Sequence, residues 1–443
     1  MSLAIPVFAS QFLETSYHFV NGIWVGRVGL TALAALNASA FFVWLVYSQM
    51  QVVSTGTASL VANRVGAGRP DEARRVAAQA LLLGVIVAIA LGAVGLVLHR
   101  PVLAAMGLEP DVVDLGSAYL QVLFLILPMM AVDEVMAAVL RGFGDTVTPT
   151  VVWSGVLLLN IVLLPVFVSG TGNVVAPLGI VGAGLATGVA QTAGMGAYLA
   201  LAALGRLPFR LHSHEMVRRE YARDILRIGF PTSFNAAIFS LVYMGLTRVI
   251  SGFGTSAVAA VGIGHRVESL SYMTCLAFSI AALTLVGQNK GARHLARAEQ
   301  CAWWAAAMAA LLSLGYSVLM IVEGGWLARL FTNDLETVAV ASAYIRIVGF
   351  SQVFMGLEVV LEGAFSGAGD TVPPMLIGVP LTLARIPVAW YVAEHLALGV
   401  TAVWWVISIL TIVRGIVMVA WFARGRWKQV KVLSEGASLE VAA

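Results

Sequence analysis

Charge is what this sequence has least of: Asp, Glu, Lys and Arg make up 11% of its 443 residues, less than half of the roughly 25% usual in soluble domains. A chain that is also 60% hydrophobic has too little polar surface to cover a water-soluble fold. Cysteine is nearly absent, and the two present, Cys275 and Cys301, fall in or beside apolar runs, so no disulfide framework is implied. The seven histidines show no metal-ligand spacing; His212 and His214 sit in a basic stretch, and no metal site or cofactor is expected. Nucleotide and hydrolase signatures are missing as well. There is no GxxxxGK[ST] and no GxSxG, and His214-Glu215 runs on into Met, Val, Arg and Arg instead of completing HExxH. An ATP-driven pump and an intramembrane enzyme are therefore disfavoured, and no catalytic residue is assigned. No basic n-region or small-residue cleavage site precedes the first apolar run, so that run is expected to be retained. Pro6 lies close to the start, whereas its later counterpart Pro231 follows the charged segment RREYARDILRIGF, so the N-terminus is expected to be short by an amphipathic stretch.

What the chain has in abundance is long apolar runs. A spanning helix needs about 20 predominantly apolar residues, and twelve runs qualify: 3–26, 39–63, 76–98, 116–140, 150–169, 177–203, 228–250, 258–287, 300–322, 341–365, 373–393 and 397–423. The reading is an all-α integral membrane protein of twelve transmembrane helices. With the N-terminus inside, the basic residues collect on one side: Arg64, Arg69, Arg74, Arg75 and Arg141, a cluster from Arg206 to Arg227, Lys290, Arg293 and Arg297, and Arg424, Arg426, Lys428 and Lys431. The opposite loops hold few, such as Arg27, Arg100 and Arg329. That bias places both termini in the cytoplasm. The lipid bilayer is then the one obligatory partner. A net charge of +3 points to no nucleic acid, and a monomer is expected. The chain divides into a six-helix lobe (1–203), a cytoplasmic linker (204–227) that is partly an amphipathic surface helix, a second six-helix lobe (228–423) and a cytoplasmic tail (424–443).

The two lobes are copies. YLQVLFLILPMMAVDEVMAAVLRGFGDTVTP, from Tyr119 to Pro149, aligns without a gap with YIRIVGFSQVFMGLEVVLEGAFSGAGDTVPP, from Tyr344 to Pro374, at a spacing of 225 residues. Tyr119 falls on Tyr344, Asp133 on Glu358, Asp145 on Asp370 and Thr146 on Thr371. At the same spacing SLVANRVGAG from Ser59 answers TLVGQNKGAR from Thr284. An even number of spans per copy gives both the same topology, which predicts a pseudo-twofold axis along the membrane normal. The Asp or Thr ahead of each proline-containing helix start is expected to cap the fifth and eleventh helices. Glycine clusters such as GIVGAGLATG from Gly179 lack the preceding strand of a dinucleotide site and read as close helix packing.

Charges at membrane depth cost about 2.5–3.5 kcal/mol on insertion scales, so they face a cavity or find partners. In the first half these are Glu14, with His18 one turn later, Asp133 and Glu134. In the second they are Arg266 and Glu268, Glu358 and Glu362, Arg385 and Arg414. Positions i and i+4 share a helix face, so Glu358, Glu362 and Ser366 form one stripe whose first-half counterpart is Asp133, Ala137 and Arg141. One reading has these acids simply locking helices together through Arg266 or Arg385, and for Glu268 with Arg266 that alternative stays open.

The motifs SLVANRVGAGRPDEARR, LRGFGDTVTPT, HRVESLSYM, TLVGQNKGAR and EGAFSGAGDTVPP together resemble those of the multidrug and toxic compound extrusion (MATE) family, in order and across both halves. The resemblance implies two six-helix lobes making a V around a central cavity, and export of cationic or amphiphilic organic compounds driven by inward protons or sodium ions. Where the family pattern VDxxxVG has an acid this chain has Asn21, and in NxxxDP it keeps Asn160 but has Leu164. The ion-coupling group is therefore expected at Glu358 and Glu362 with Arg385 as the tuning charge. Glu14, Asn21, Asp133, Asn160, Arg266 and Glu268 are expected around substrate or cavity. The alternative is a lipid-linked saccharide flippase of the same architecture, which Arg266, Arg385 and Arg414 lining one cavity would favour.

Overall fold

The computed structural model describes residues 20–106, 108–170, 176–208, 219–396 and 398–432, together with Leu13, Glu14 and Tyr17. Pro6, His18, the basic stretch 209–218 and the tail from 433 lie outside the described residues. Among those described, all regular structure is helical: α1 (20–28), α2 (Leu30–Gly66), α3 (Pro70–Ala105), α4 (Pro110–Phe143), α5 (Val147–Ser169), α6 (Gly179–Ala203), α7 (Arg219–Ser251), α8 (Thr255–Gly291), α9 (Leu295–Arg329), α10 (Leu335–Gly349), α11 (Gln352–Gly367), α12 (Val372–Leu383), α13 (Arg385–Glu394) and α14 (Val400–Ala423). With α12 and α13 taken as one span, nine are long and apolar enough to cross a membrane, or ten if α10 and α11 also count as one. Of the other two spans read from the sequence, the first lies largely outside the described residues. The second, α6, has the length, but its glycines and Gln191 dilute its hydropathy.

Two compact units emerge, residues 1–65 with 69–229, and 66–68 with 230–443. In the first, α4 packs on α3 and α6, and α6 also packs on α5. The Gly-rich face of α6 permits this: a Cβ on Gly182 would lie 2.3 Å from the Phe167 carbonyl oxygen, so the glycines serve helix packing as expected. Residues 219–227, expected in the linker, are the first turns of α7. In the second unit α8 packs on α9, α10 and α11, and α14 on α10 to α13. Its core holds Tyr344 and Trp404, whose rings meet edge to face at 4.9 Å.

The repeated Gly-Asp-Thr turns build the same stop in each unit. Gly144 has φ +92° and Gly369 φ +73°, left-handed values that a side chain disfavours. Each turn closes with two bonds: Gly144 N–H to Arg141 O at 3.0 Å and Asp145 N–H to Leu140 O at 2.9 Å, then Gly369 N–H to Ser366 O and Asp370 N–H to Phe365 O, both at 3.0 Å. This pattern satisfies the last carbonyls of a helix. Asp145 then caps α5, accepting from Val147 N–H at 3.0 Å and Thr148 N–H at 2.9 Å. The second copy departs from the expected cap. Pro373 stands in the place of Thr148 and has no N–H to give, and Thr371 makes no side-chain cap. Burial pushes the Asp370 carboxyl up from its ordinary range while the nearby Lys290 opposes the shift. Lys290 Nζ donates to Ala368 O at 2.6 Å and to Trp427 O at 2.8 Å. Trp427, from the short turn Arg426–Gln429, is buried and stacks on Phe422 at 4.9 Å.

Two spans that read as continuous are broken. Pro387 cannot bond to the Leu383 carbonyl, and α12 ends at Leu383. The α10–α11 break bends the chain by 55° without any proline. At the break Ile347 O and Val348 O keep tighter backbone bonds, from Phe350 N–H at 3.2 Å and Ser351 N–H at 3.0 Å, and side chains add to them: Ser408 Oγ donates to Ile347 O at 3.0 Å, Ser351 Oγ to Val348 O at 2.8 Å and Ser317 Oγ to Gly349 O at 2.7 Å. A break at membrane depth survives only with such substitutes.

Candidate functional site

Below this bend, α11 carries Glu358 and Glu362 one turn apart. Glu358 forms an ion pair with Arg414 of α14, both side chains being less than a tenth exposed. Arg414 Nη1 also donates to Thr382 Oγ1 of α12 at 3.0 Å, and Asn235 Nδ2 of α7 donates to Glu362 Oε1 at 3.3 Å. Gly378 lets α12 approach: a Cβ there would lie 2.5 Å from Asn235 Oδ1 and 3.0 Å from Arg414 Nη2. Tyr272 lies within electrostatic reach of both acids. Two carboxyl groups thus share one arginine. Glu358 is charge-balanced by it, and Glu362 lies within its electrostatic reach without an ion pair of its own among the described residues.

The arginine in this cluster is Arg414, and Arg385 is elsewhere. Arg385, buried at the start of α13, donates to Tyr243 Oη at 3.1 Å and to Thr411 Oγ1 at 2.8 Å. It faces a second cluster in the same unit, where Glu268 accepts from Tyr344 Oη at 3.0 Å and Gln352 Nε2 at 3.3 Å, and where His265 lies edge-on to Tyr243 at 4.8 Å. Arg266 is exposed and forms no ion pair with Glu268. Residues two apart on a helix point to nearly opposite sides, which disposes of that pairing. Arg414 and Arg385 thus serve separate clusters, and Arg266 joins neither through an ion pair.

In the first unit a neutral network occupies the place of the two lost acids. Asn21 Nδ2 donates to Tyr17 Oη at 3.4 Å, Tyr17 Oη meets Thr187 Oγ1 at 3.3 Å, and Asn160 Nδ2 donates to Thr187 Oγ1 at 3.0 Å. Asn21 and Asn160 are thereby brought together through Thr187. Leu164 is fully buried in the surrounding apolar cluster. Glu14 accepts a hydrogen bond from Trp153 and feels the charge of Glu134. Glu134 accepts from Tyr47 Oη at 3.2 Å and pairs with Arg141 at 3.1 Å. Asp133 stands apart, 6% exposed, with neither carboxylate oxygen hydrogen-bonded. Sequence reading missed Arg414, Asn235 and Thr187 as site members. Arg414 alone carried a signal, as a solitary charge in TIVRGIV that had to find a partner.

Comparison with known proteins gives the same two halves. The family model described as MatE matches residues 6–166 and again 231–391, two segments at the spacing of the internal repeat. A probable multidrug resistance protein NorM of Thermotoga maritima is 27% identical, over 98% of this chain and 94% of that protein. The multidrug resistance protein PmpM of Pseudomonas aeruginosa is 26% identical, over 85% of this chain and 80% of that protein. Among solved structures, the outward-facing conformation of a multidrug resistance MATE family transporter of the MOP superfamily superposes with a TM-score of 0.89 at 24% identity, covering 97% of this chain and 96% of that one. At that identity the likeness speaks for the fold alone.

Proposed function

Since the chain belongs to the MatE family of multidrug efflux transporters, we propose that it is a secondary antiporter that exports cationic or amphiphilic organic compounds, and that Glu358 and Glu362, balanced by Arg414, handle the coupling ion. The family is one of ion-coupled membrane transporters and not of enzymes. The observation that carries the finer reading is the pair of carboxyl groups sharing one buried arginine. One proton returning through about 100 mV and about one pH unit supplies roughly 3.7 kcal/mol, enough for a several-hundredfold gradient of a neutral substrate. Sodium held between the two carboxylates is the rival, and the same residues would serve. The bacterial relatives support the inner membrane, and the bias of basic residues among the loops supports cytoplasmic termini.

The test is transport of a fluorescent organic cation, ethidium, into inverted vesicles under separately imposed proton and sodium gradients. Gradient-driven uptake by the wild type should respond to one gradient, and Glu358→Gln with Glu362→Gln together should abolish it. Full uptake by the double variant would sink the assignment and leave Glu14 and Asp133 as the acids to examine.

A further inference from the structure

The first unit holds a buried carboxyl group outside the proposed coupling pair. Asp133 is 6% exposed, and both its oxygens lack a hydrogen-bond partner. Beside it on the facing helices stand Gly194 and Val156: a Cβ placed on Gly194 of α6 would lie 2.8 Å from Asp133 Oδ2 and 2.6 Å from a methyl of Val156 on α5. Helix α6 has therefore closed on α4 with only a glycine between backbone and carboxyl. The titratable and charged groups around it are few. On its own helix Glu134 and Arg141 are paired with each other. On α6 Tyr198 lies within electrostatic reach, and α5 carries no titratable residue from Val147 to Ser169. Tyr47 of α2 and Glu14 turn toward Glu134.

An ionised carboxylate cut off from both water and donors is far costlier to bury than the neutral acid. Sodium would require several oxygen ligands, which a valine methyl and a glycine do not provide, and no group of three or more His, Cys, Asp or Glu suited to a metal ion occurs among the described residues. A proton is the one ligand that fits. We propose that Asp133 binds a proton in this conformation and releases it when α6 moves off α4, so that this contact is a proton-linked joint in the first unit. It does not rest on Glu358 and Glu362, which lie in the other unit.

The experiment is hydrogen–deuterium exchange of the full chain in liposomes between ~pH 6 and ~pH 9, corrected for intrinsic rates and read on peptides from α5 and α6. If opening releases one proton, the opening equilibrium grows about tenfold per pH unit, in the direction of lost protection as pH rises. Asp133→Asn and Asp133→Leu should both abolish this slope, and Glu134→Gln should keep it. Asp133→Leu guards against a folding artefact. An apolar side chain of similar volume in place of an unpartnered carboxyl should melt no lower than wild type at ~pH 6. Absence of the slope in wild type, its survival in either Asp133 variant, its loss in Glu134→Gln, or a lower melting point of Asp133→Leu would each overturn the proposal.

Discussion

Arg414→Gln isolates the electrostatics of the second unit. Removing the guanidinium leaves Glu358, itself 6% exposed, buried without a counter-charge. The carboxylate has a way out: it can take a proton. At pH 7 that costs roughly 1.36 × (7 − 4.3), or about 3.7 kcal/mol, starting from an ordinary glutamate. The figure falls within the roughly 3–5 kcal/mol typical of breaking one side of a buried ion pair. At about 2–4 °C per kcal/mol for a unit of this size, the melting temperature should drop by roughly 7–15 °C. The sign of its pH dependence follows. The variant's folded state holds a proton that the unfolded chain releases at neutral pH, so the penalty grows with pH, and near pH 5 it shrinks to about 1 kcal/mol. Melting of the detergent-solubilised protein, followed by intrinsic fluorescence at both pH values, measures it. Adding Glu358→Gln to Arg414→Gln should restore most of the loss, because the double variant leaves no buried charge. A neutral-pH penalty that does not shrink on acidification, or a double variant no better than the single, would refute the pairing as the source of stability.

Other expectations concern structure. Asp145→Ala should cost about 1 kcal/mol through loss of the α5 cap, while Asp370→Ala, which caps nothing, should cost less; thermal melting of the two side by side decides it. Gly363→Ala puts a Cβ 2.3 Å from the Ser279 carbonyl oxygen and should force α11 off α8, seen as poor yield of folded protein. Trp427→Ala empties a fully enclosed site on Phe422 and should destabilise by roughly 3–5 kcal/mol. Asp334 accepts from Thr337 N–H at 2.9 Å and Thr337 Oγ1 at 2.6 Å, bonds that hold its carboxyl below the usual range. Its support of the α10 start is present above the ordinary carboxylate pKa and should fade as pH falls through the lowered one, detectable as loss of amide protection at the helix start.

Much of this was legible in the sequence because membrane helices advertise themselves by length and apolarity, and because the 225-residue period survives in both turns. The placement of Glu358 and Glu362 on one face followed from helix phase alone. Phase says which way a side chain points but not which helix stands opposite, so Arg385 and Arg414 could not be told apart as partners. The Arg266–Glu268 alternative could have been set aside from spacing, since positions two apart diverge on a helix. Pro387 carried a signal for the α12–α13 break that the continuous reading of 373–393 passed over. The α10–α11 break gave no such sign. The distant side chains that support it, Ser317 and Ser408, are far away in sequence and ordinary as single residues. Thr187 escaped notice for a similar reason, a neutral hydroxyl within a run of glycines.

That bend bears on how the protein is made. Its carbonyls take additional bonds from serines of α9 and α14 as well as from its own chain, and a poorly satisfied carbonyl in lipid is costly. A ribosome delivers α9 before the joint and α14 well after it. Until α14 arrives, the Ile347 carbonyl keeps its backbone bond from Phe350 N–H but lacks its second partner, Ser408. The set of serine bonds around the bend is therefore complete only once α14 has followed it into the bilayer.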